Sequence, residues 1–211
     1  MNKINVLVAD DHWQILESIQ GILKTCFDTE SVDLVDNGLS AWSKINHQTY
    51  DLYIIDLKLP QVDGFALIRQ IRKVNPDAKI IINTMCEELW DVKRILELGV
   101  DGIVIKTSTL SHLNDAIDYV LTGEKYGCPK FTQLEKQFKK EGFFNLSKRE
   151  IEILCVIAEG LTTEQIAERF RISENTVETI RKRLLLKSGA HNMPHLINRA
   201  HKAGLLTDYC M

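Results

Sequence analysis

"YDLYIIDLKLPQVDG", residues 50–64, is the stretch on which the fold turns. Leu52 to Ile55 are apolar without a break, and Asp56 ends the run. A half-exposed strand alternates apolar and polar residues, so an unbroken run points to a strand covered on both faces. Pro60 and the Asp63-Gly64 pair then mark a turn before the next apolar periodicity begins. A carboxylate at the end of a buried strand is costly unless it is solvated or paired. What lies around Asp56 therefore decides what the chain does.

Working outward, the first 122 residues alternate two periods. Strand-like runs are "INVLVA" (4–9), "SVDLVD" (31–36), "DLYIID" (51–56), "AKIIINT" (78–84) and "GIVIK" (102–106). Between and after them, apolar residues recur at helical spacing over 12–27, 38–48, 64–75, 87–99 and 110–123. Five strands alternating with five helices predict a doubly wound α/β domain with a five-stranded parallel sheet and right-handed crossovers. In such sheets the chemistry sits beyond the carboxyl ends of the strands.

Residues 123–145 change character and read as a linker. Gly127-Cys128-Pro129 interrupts any helix, and Phe131, Leu134 and Phe138 are spaced for a short amphipathic one. Residues 146–211 are helical throughout. Ser147 and Glu150 form a capping-box pattern, Thr162 or Thr163 and Ser173 open two further helices, and Gly160 and Gly189 stop two. Four short helices with tight connections predict a small all-α domain.

The net charge of -3 is unevenly spread. Residues 1–122 hold 11 Lys and Arg against 18 Asp and Glu, whereas residues 146–211 hold 10 against 8. An acidic front joined to a mildly basic tail hints that the tail meets an anionic partner. The five cysteines are odd in number and scattered, which speaks against a disulfide framework or zinc site and for a reducing cytoplasm. No apolar run approaches the roughly 20 residues of a membrane helix, and no secretory signal is read at the start; no membrane association is expected.

The strand ends carry the chemistry. The first delivers Asp10 and Asp11, the third Asp56, the fourth Thr84 and the fifth Lys106. Parallel strands finish together, so these groups meet at one edge. Three clustered carboxylates need a cation, and an all-oxygen set suits Mg²⁺. The lysine and the hydroxyl can serve an anion beside it, so the set suits a phosphoryl group carried on a carboxylate. Any one acid here could be a solvated loop residue or a helix cap, as Asp11 could be; the joint pattern is what carries the reading.

"VLVADDH", "YIIDLKLPQVDG", "IINTM" and "GVDGIVIK" resemble the receiver domain of bacterial two-component response regulators, a flavodoxin-like fold, over residues 2–122. The resemblance implies that Asp56 accepts phosphate from a sensor histidine kinase. It also implies that Asp10, Asp11, Asp56 and the backbone carbonyl of Lys58 hold Mg²⁺, and that Thr84 and Lys106 contact the phosphate. Two positions depart from the pattern. Ile103 stands where an aromatic residue often swings on activation, and Thr107 follows the lysine in place of proline. A phosphatase of the haloacid dehalogenase type also phosphorylates a strand-end Asp, but it needs an acid at position 58, which is Lys; no enzyme is expected. A dinucleotide fold is disfavoured because the first turn, "ADDHW", lacks the glycine fingerprint.

"LSKREIEILCVIAEGLTTEQIAERFRISENTVETIRKRLLLKSG" resembles the helix-turn-helix module of LuxR/FixJ (NarL-type) transcription factors, over residues 144–206. Ile166, Ala167 and Phe170 would pack its first helix, and Ile172 and Val177 would bury the turn. A recognition helix presents residues near its N-terminus to base edges and its basic residues to phosphates. Asn175, Thr176, Glu178, Thr179 and Lys182 are the candidates for the first role. Thr163, Arg181, Arg183 and Lys187 are the candidates for the second. Ile180 stands where many relatives carry histidine. Met193, Leu196, Ile197 and Ala200 recur on one stripe of the last helix; part is core, and the resemblance implies a dimer contact there. The expectation is a phosphorylation-responsive transcription regulator that pairs on inverted or direct half-sites of double-stranded DNA. Three alternatives stand beside it: a phosphorylation-independent DNA-binding regulator, invited by Ile103; a signalling adaptor; and the phosphatase.

Overall fold

The computed structural model describes residues 3–85, 89–141, 146–202 and 205–206. The chain divides into two compact units, one comprising residues 1–87 and 95–133, the other residues 88–94 and 134–211.

The first unit is built on β1 (Ile4–Ala9), β2 (Thr29–Val35), β3 (Leu52–Ile55), β4 (Lys79–Thr84), β5 (Gly102–Ile105) and β6 (Tyr126–Gly127). Their order in the sheet is β2-β1-β3-β4-β5-β6, and every pairing is parallel. The helices α1 (Trp13–Cys26), α2 (Gly38–His47), α3 (Gly64–Val74), α4 (Leu89–Leu98) and α5 (Leu110–Thr122) follow the first five strands in turn. The continuous hydrophobicity of β3 has the expected cause. Leu52 and Ile54 join Val6, Val8, Ile81 and Val104 in a core with Leu16, Ile19 and Leu23 of α1 and Leu113, Ala116 and Ile117 of α5. Side chains alternate along a strand, so Leu7, Tyr53, Ile55, Ile80 and Ile82 face the other way. They too are fully buried, where α2 and α3 supply Ala41, Ile45, Leu67, Ile68 and Ile71.

The sheet has six strands rather than the expected five. Tyr126 and Gly127 pair with Gly102 and Ile103 of β5. Two residues beside Gly127-Cys128-Pro129 give no alternation to read, and their strand character comes from the β5 edge that they cap. Tyr126 N donates to Asp101 O and Cys128 N donates to Ile103 O, both at 2.9 Å.

Next comes α6 (Pro129–Glu141), the amphipathic helix that the spacing of Phe131, Leu134 and Phe138 predicts. Leu134 and Phe138 pack against the core of the helical unit. That unit contains α7 (Lys148–Ala158), α8 (Thr163–Phe170), α9 (Glu174–Ser188) and α10 (Met193–Lys202). Ser147 and Glu150 close a reciprocal capping box, as do Thr162 and Gln165, and the Ser173 side chain accepts from Thr176 N. Gly189 ends α9 in the left-handed region, at φ 63°. Ile166, Val177, Leu184, Leu196 and Ala200 are the centre of its core, with Phe170 and Ile172 at its edge.

Candidate functional site

The carboxyl edge of the sheet gathers the groups that its strands deliver. Asp10 follows β1 and Asp56 follows β3, held in register by Asp56 N donating to Ala9 O at 2.8 Å. Lys106 follows β5, with its backbone N donating to Thr84 O at 2.8 Å. The ammonium of Lys106 bridges the two acids, at 2.7 Å from Asp10 Oδ2 and 2.5 Å from Asp56 Oδ2. All three side chains are almost wholly buried. Asp11 stands at the rim, with more than a third of its side chain exposed.

The electrostatics leave this pocket short of positive charge. Burial raises the Asp10 carboxyl above the ordinary value, against the lowering effect of Lys106 and of the His12 N–H. Burial by itself would favour the neutral amine of Lys106, yet its hydrogen bonds to Asp10 and Asp56 win, and its pKa lies above the usual lysine value. One ammonium therefore faces two buried carboxylates, with Asp11 beside them. One donor atom from each of Asp10, Asp11, His12 and Asp56 lies within 4.8 Å of the others. A donor set dominated by carboxylates around a charge deficit fits a hard divalent cation.

The turn after Asp56 is tight. Lys58 N donates to Asp56 Oδ1 at 3.2 Å, and Gly64 N donates to Leu57 O at 3.0 Å. A Cβ on Gly64 would lie 2.1 Å from Asp56 O, so the loop folds back directly over the backbone of Asp56. Gln61 takes φ 72°, a left-handed conformation that a non-glycine residue adopts at some cost. Asp63 starts α3 by accepting from Ala66 N at 2.7 Å. Thr84 ends β4 fully buried. Ile103 is buried within β5, paired to Ile82 and Gly127. Both neighbours of Lys106 are tied to the start of α6. Ile105 N donates to Cys128 Sγ at 3.4 Å, and Lys130 Nζ donates to Thr107 Oγ1 at 2.7 Å.

On the helical unit, Asn175, Thr176, Glu178, Thr179, Lys182 and Arg183 of α9 are exposed, and Arg181 and Lys187 are half-buried. Several of these groups have partners within the unit. Thr163 Oγ1 donates to Glu178 Oε1 at 2.8 Å, and Thr179 Oγ1 donates to Asn175 O at 2.8 Å. Lys187 Nζ lies 2.9 Å and Arg183 Nη1 4.0 Å from the buried carboxylate of Glu150. Sequence reasoning reads Glu150 as a cap only. Nothing in periodicity shows a partner 37 residues away.

The dimer stripe needs correction. Leu196 and Ala200 are fully buried in the core of their own unit, because α10 closes the bundle with that face. Met193 and Ile197 are partly buried against the same core and keep some surface. Sequence reasoning also misses His12: it follows the acidic pair, and its ring turns toward both acids.

Comparison with known proteins places both units. Residues 6–118 match the response regulator receiver domain, and residues 145–200 match the bacterial regulatory proteins of the luxR family. The oxygen regulatory protein NreC of Staphylococcus carnosus is 31% identical over 96% of this chain and 99% of its own length. The response regulator protein VraR of Staphylococcus epidermidis is 33% identical over 87% and 90%. Among solved structures, RcsB from Salmonella enterica serovar Typhimurium, bound to promoter P1flhDC with the phosphomimetic BeF3-, superposes with a TM-score of 0.71. It is 26% identical and covers 96% of this chain and 100% of its own. The chain belongs to the response regulators that join a receiver domain to a LuxR-type DNA-binding domain, and it is a transcriptional regulator. No helix among the described residues is long and apolar enough to cross a membrane.

Proposed function

We propose that Asp56 is the phosphoacceptor of this regulator and that its phosphorylation controls DNA binding through α9. The observation that carries the reading is the Lys106 ammonium bridging Asp10 and Asp56 at the carboxyl edge of the sheet. A carboxylate oxygen of Asp56 attacks phosphorus, and the P–N bond of a sensor kinase phosphohistidine, or the P–O bond of a small acyl phosphate, breaks. Asp10, Asp11, Asp56 and the backbone carbonyl of Lys58 would hold Mg²⁺. When bound there, the ion would supply positive charge against the phosphoryl oxygens.

Lys106 is already within bonding distance of the acceptor carboxylate, and it follows the new charge of about -1.5 to -2 outward from Asp56. The Thr84 hydroxyl supplies a donor from the neighbouring strand. The phosphorylated chain pairs through a receiver surface and through Met193 and Ile197. Two copies of α9 then meet inverted or direct half-sites in the cytoplasm. Asn175, Thr176, Glu178, Thr179 and Lys182 meet base edges, and Thr163, Arg181, Arg183 and Lys187 lie near the phosphates. The RcsB structure bound to a promoter in the presence of a phosphomimetic supports DNA binding by the phosphorylated form.

Labelling with a radioactive acyl phosphate and Mg²⁺ tests the first step. The chain should take up phosphate and Asp56→Asn should not; equal labelling of both sinks the reading. Selection of bound DNA from random sequence, with and without the donor, tests the second. Equal enrichment in both arms would support a phosphorylation-independent regulator instead, the reading that the buried Ile103 favours.

A further inference from the structure

His12 sits at the N-cap of α1, but its side chain makes no capping hydrogen bond. The backbone serves the position instead, with His12 O accepting from Ile15 N at 3.0 Å and Leu16 N at 3.2 Å, while His12 N donates to Asp10 Oδ1 at 2.9 Å. The ring turns instead to the acids. Its Nδ1 lies 2.7 Å from Asp11 Oδ1 and 3.3 Å from Asp10 Oδ1. In an octahedral shell with bonds near 2.1 Å, adjacent donor atoms are about 3.0 Å apart. The two observed separations bracket that edge. Lys106 takes the other oxygen of Asp10, Oδ2, so the ring and the ammonium do not compete for one atom. The ring is largely exposed at the rim of the pocket, and its Nδ1 edge faces the two acids.

We infer that His12 is a direct nitrogen ligand of the metal pocket and that it biases the site toward divalent transition ions over Mg²⁺. This inference rests on the proposed metal pocket. An all-oxygen pocket suits Mg²⁺, which takes imidazole poorly. Adding one imidazole steepens the rise in affinity from Mg²⁺ toward Co²⁺ and Ni²⁺. The oxygen ligands of the proposed pocket are unchanged, so Mg²⁺ is still accepted. The new property is the ratio between the two classes of ion.

Calorimetric titration of the full chain with MgCl2, and separately with NiCl2, reads that ratio. His191 and His195 stack with ring centroids 5.2 Å apart and can take nickel by themselves. The titrations are therefore run on a His191→Gln, His195→Gln background, with and without His12→Gln. Loss of the imidazole should weaken Ni²⁺ binding about tenfold or more while changing Mg²⁺ binding less than threefold. The visible bands of bound Co²⁺ should shift in parallel. Equal weakening of both ions, or of neither, overturns the inference but leaves the pocket intact. Failure of the background protein to bind either ion overturns the pocket reading and this inference together.

Discussion

At the carboxyl edge of the sheet, Lys106, Asp10 and Asp56 are nearly sealed from water and bonded to one another. On α9, Lys182 and Arg183 stand in solvent, and Lys187 is only partly shielded beside Glu150. The two regions carry similar side chains in opposite states. In the first, burial makes each charge depend on its neighbours, so one added group can rearrange the set. In the second, exposure keeps each charge nearly independent, which suits the DNA-facing role proposed for α9. The one buried acid among the described residues of α7 to α10, Glu150, breaks that rule and ties two basic residues of α9 to α7.

The buried set depends most heavily on Lys106. Lys106→Met strands two carboxylates in a buried pocket and should destabilise the receiver unit by about 3–5 kcal/mol. Added Mg²⁺ should restore more of that loss than it adds to the unsubstituted chain. Urea unfolding with and without the ion reads both. Gly64→Ala drives a Cβ into the carbonyl of Asp56 and should cost about 2–3 kcal/mol. Amide exchange should rise in the strands of the receiver unit and stay unchanged in α7 to α9; a uniform rise would show that the turn does not act locally.

Glu150→Ala sharpens the other side, at about 2 kcal/mol, since it removes a capping partner and an acceptor for Lys187. The sign with pH follows from the same contacts. Burial opposes the charge of Glu150, but Lys187 and Ser147 outweigh it, and its carboxyl titrates below the ordinary value of 4.5. The contribution is therefore fully present above that value and is lost as pH falls through the lower folded one. Thermal melts of the helical unit from pH 6 to pH 3 should converge for the unsubstituted and Glu150→Ala chains only at the acid end.

Much of this was legible in the sequence, and for physical reasons. Burial on both faces forces continuous apolar runs, so β1, β3 and β4 announce themselves, and the acids at their ends stand out. Ser147, Thr162 and Ser173 mark helix starts because few other residues can satisfy those N–H groups. What escaped depends on distance in space. β6 exists because β5 offers a free edge, not because Tyr126-Gly127 favours extension. The inward turn of His12 needs Asp10 and Asp11 in place. The burial of Leu196 and Ala200 depends on which way α10 faces, which a stripe of apolar residues does not specify.

The short strand β6 has a further consequence, for how such a receiver can be exchanged between proteins. Its two residues cover the hydrogen-bonding groups of β5, and Cys128 and Lys130 hold the segments on either side of Lys106. A receiver excised at residue 122 would lose all of these at once and present a bare strand, a template for pairing with another chain. The contacts of β6, Cys128 and Lys130 all lie within the receiver unit, which extends to residue 133, so recombination that spares them must carry the first turn of α6 with it.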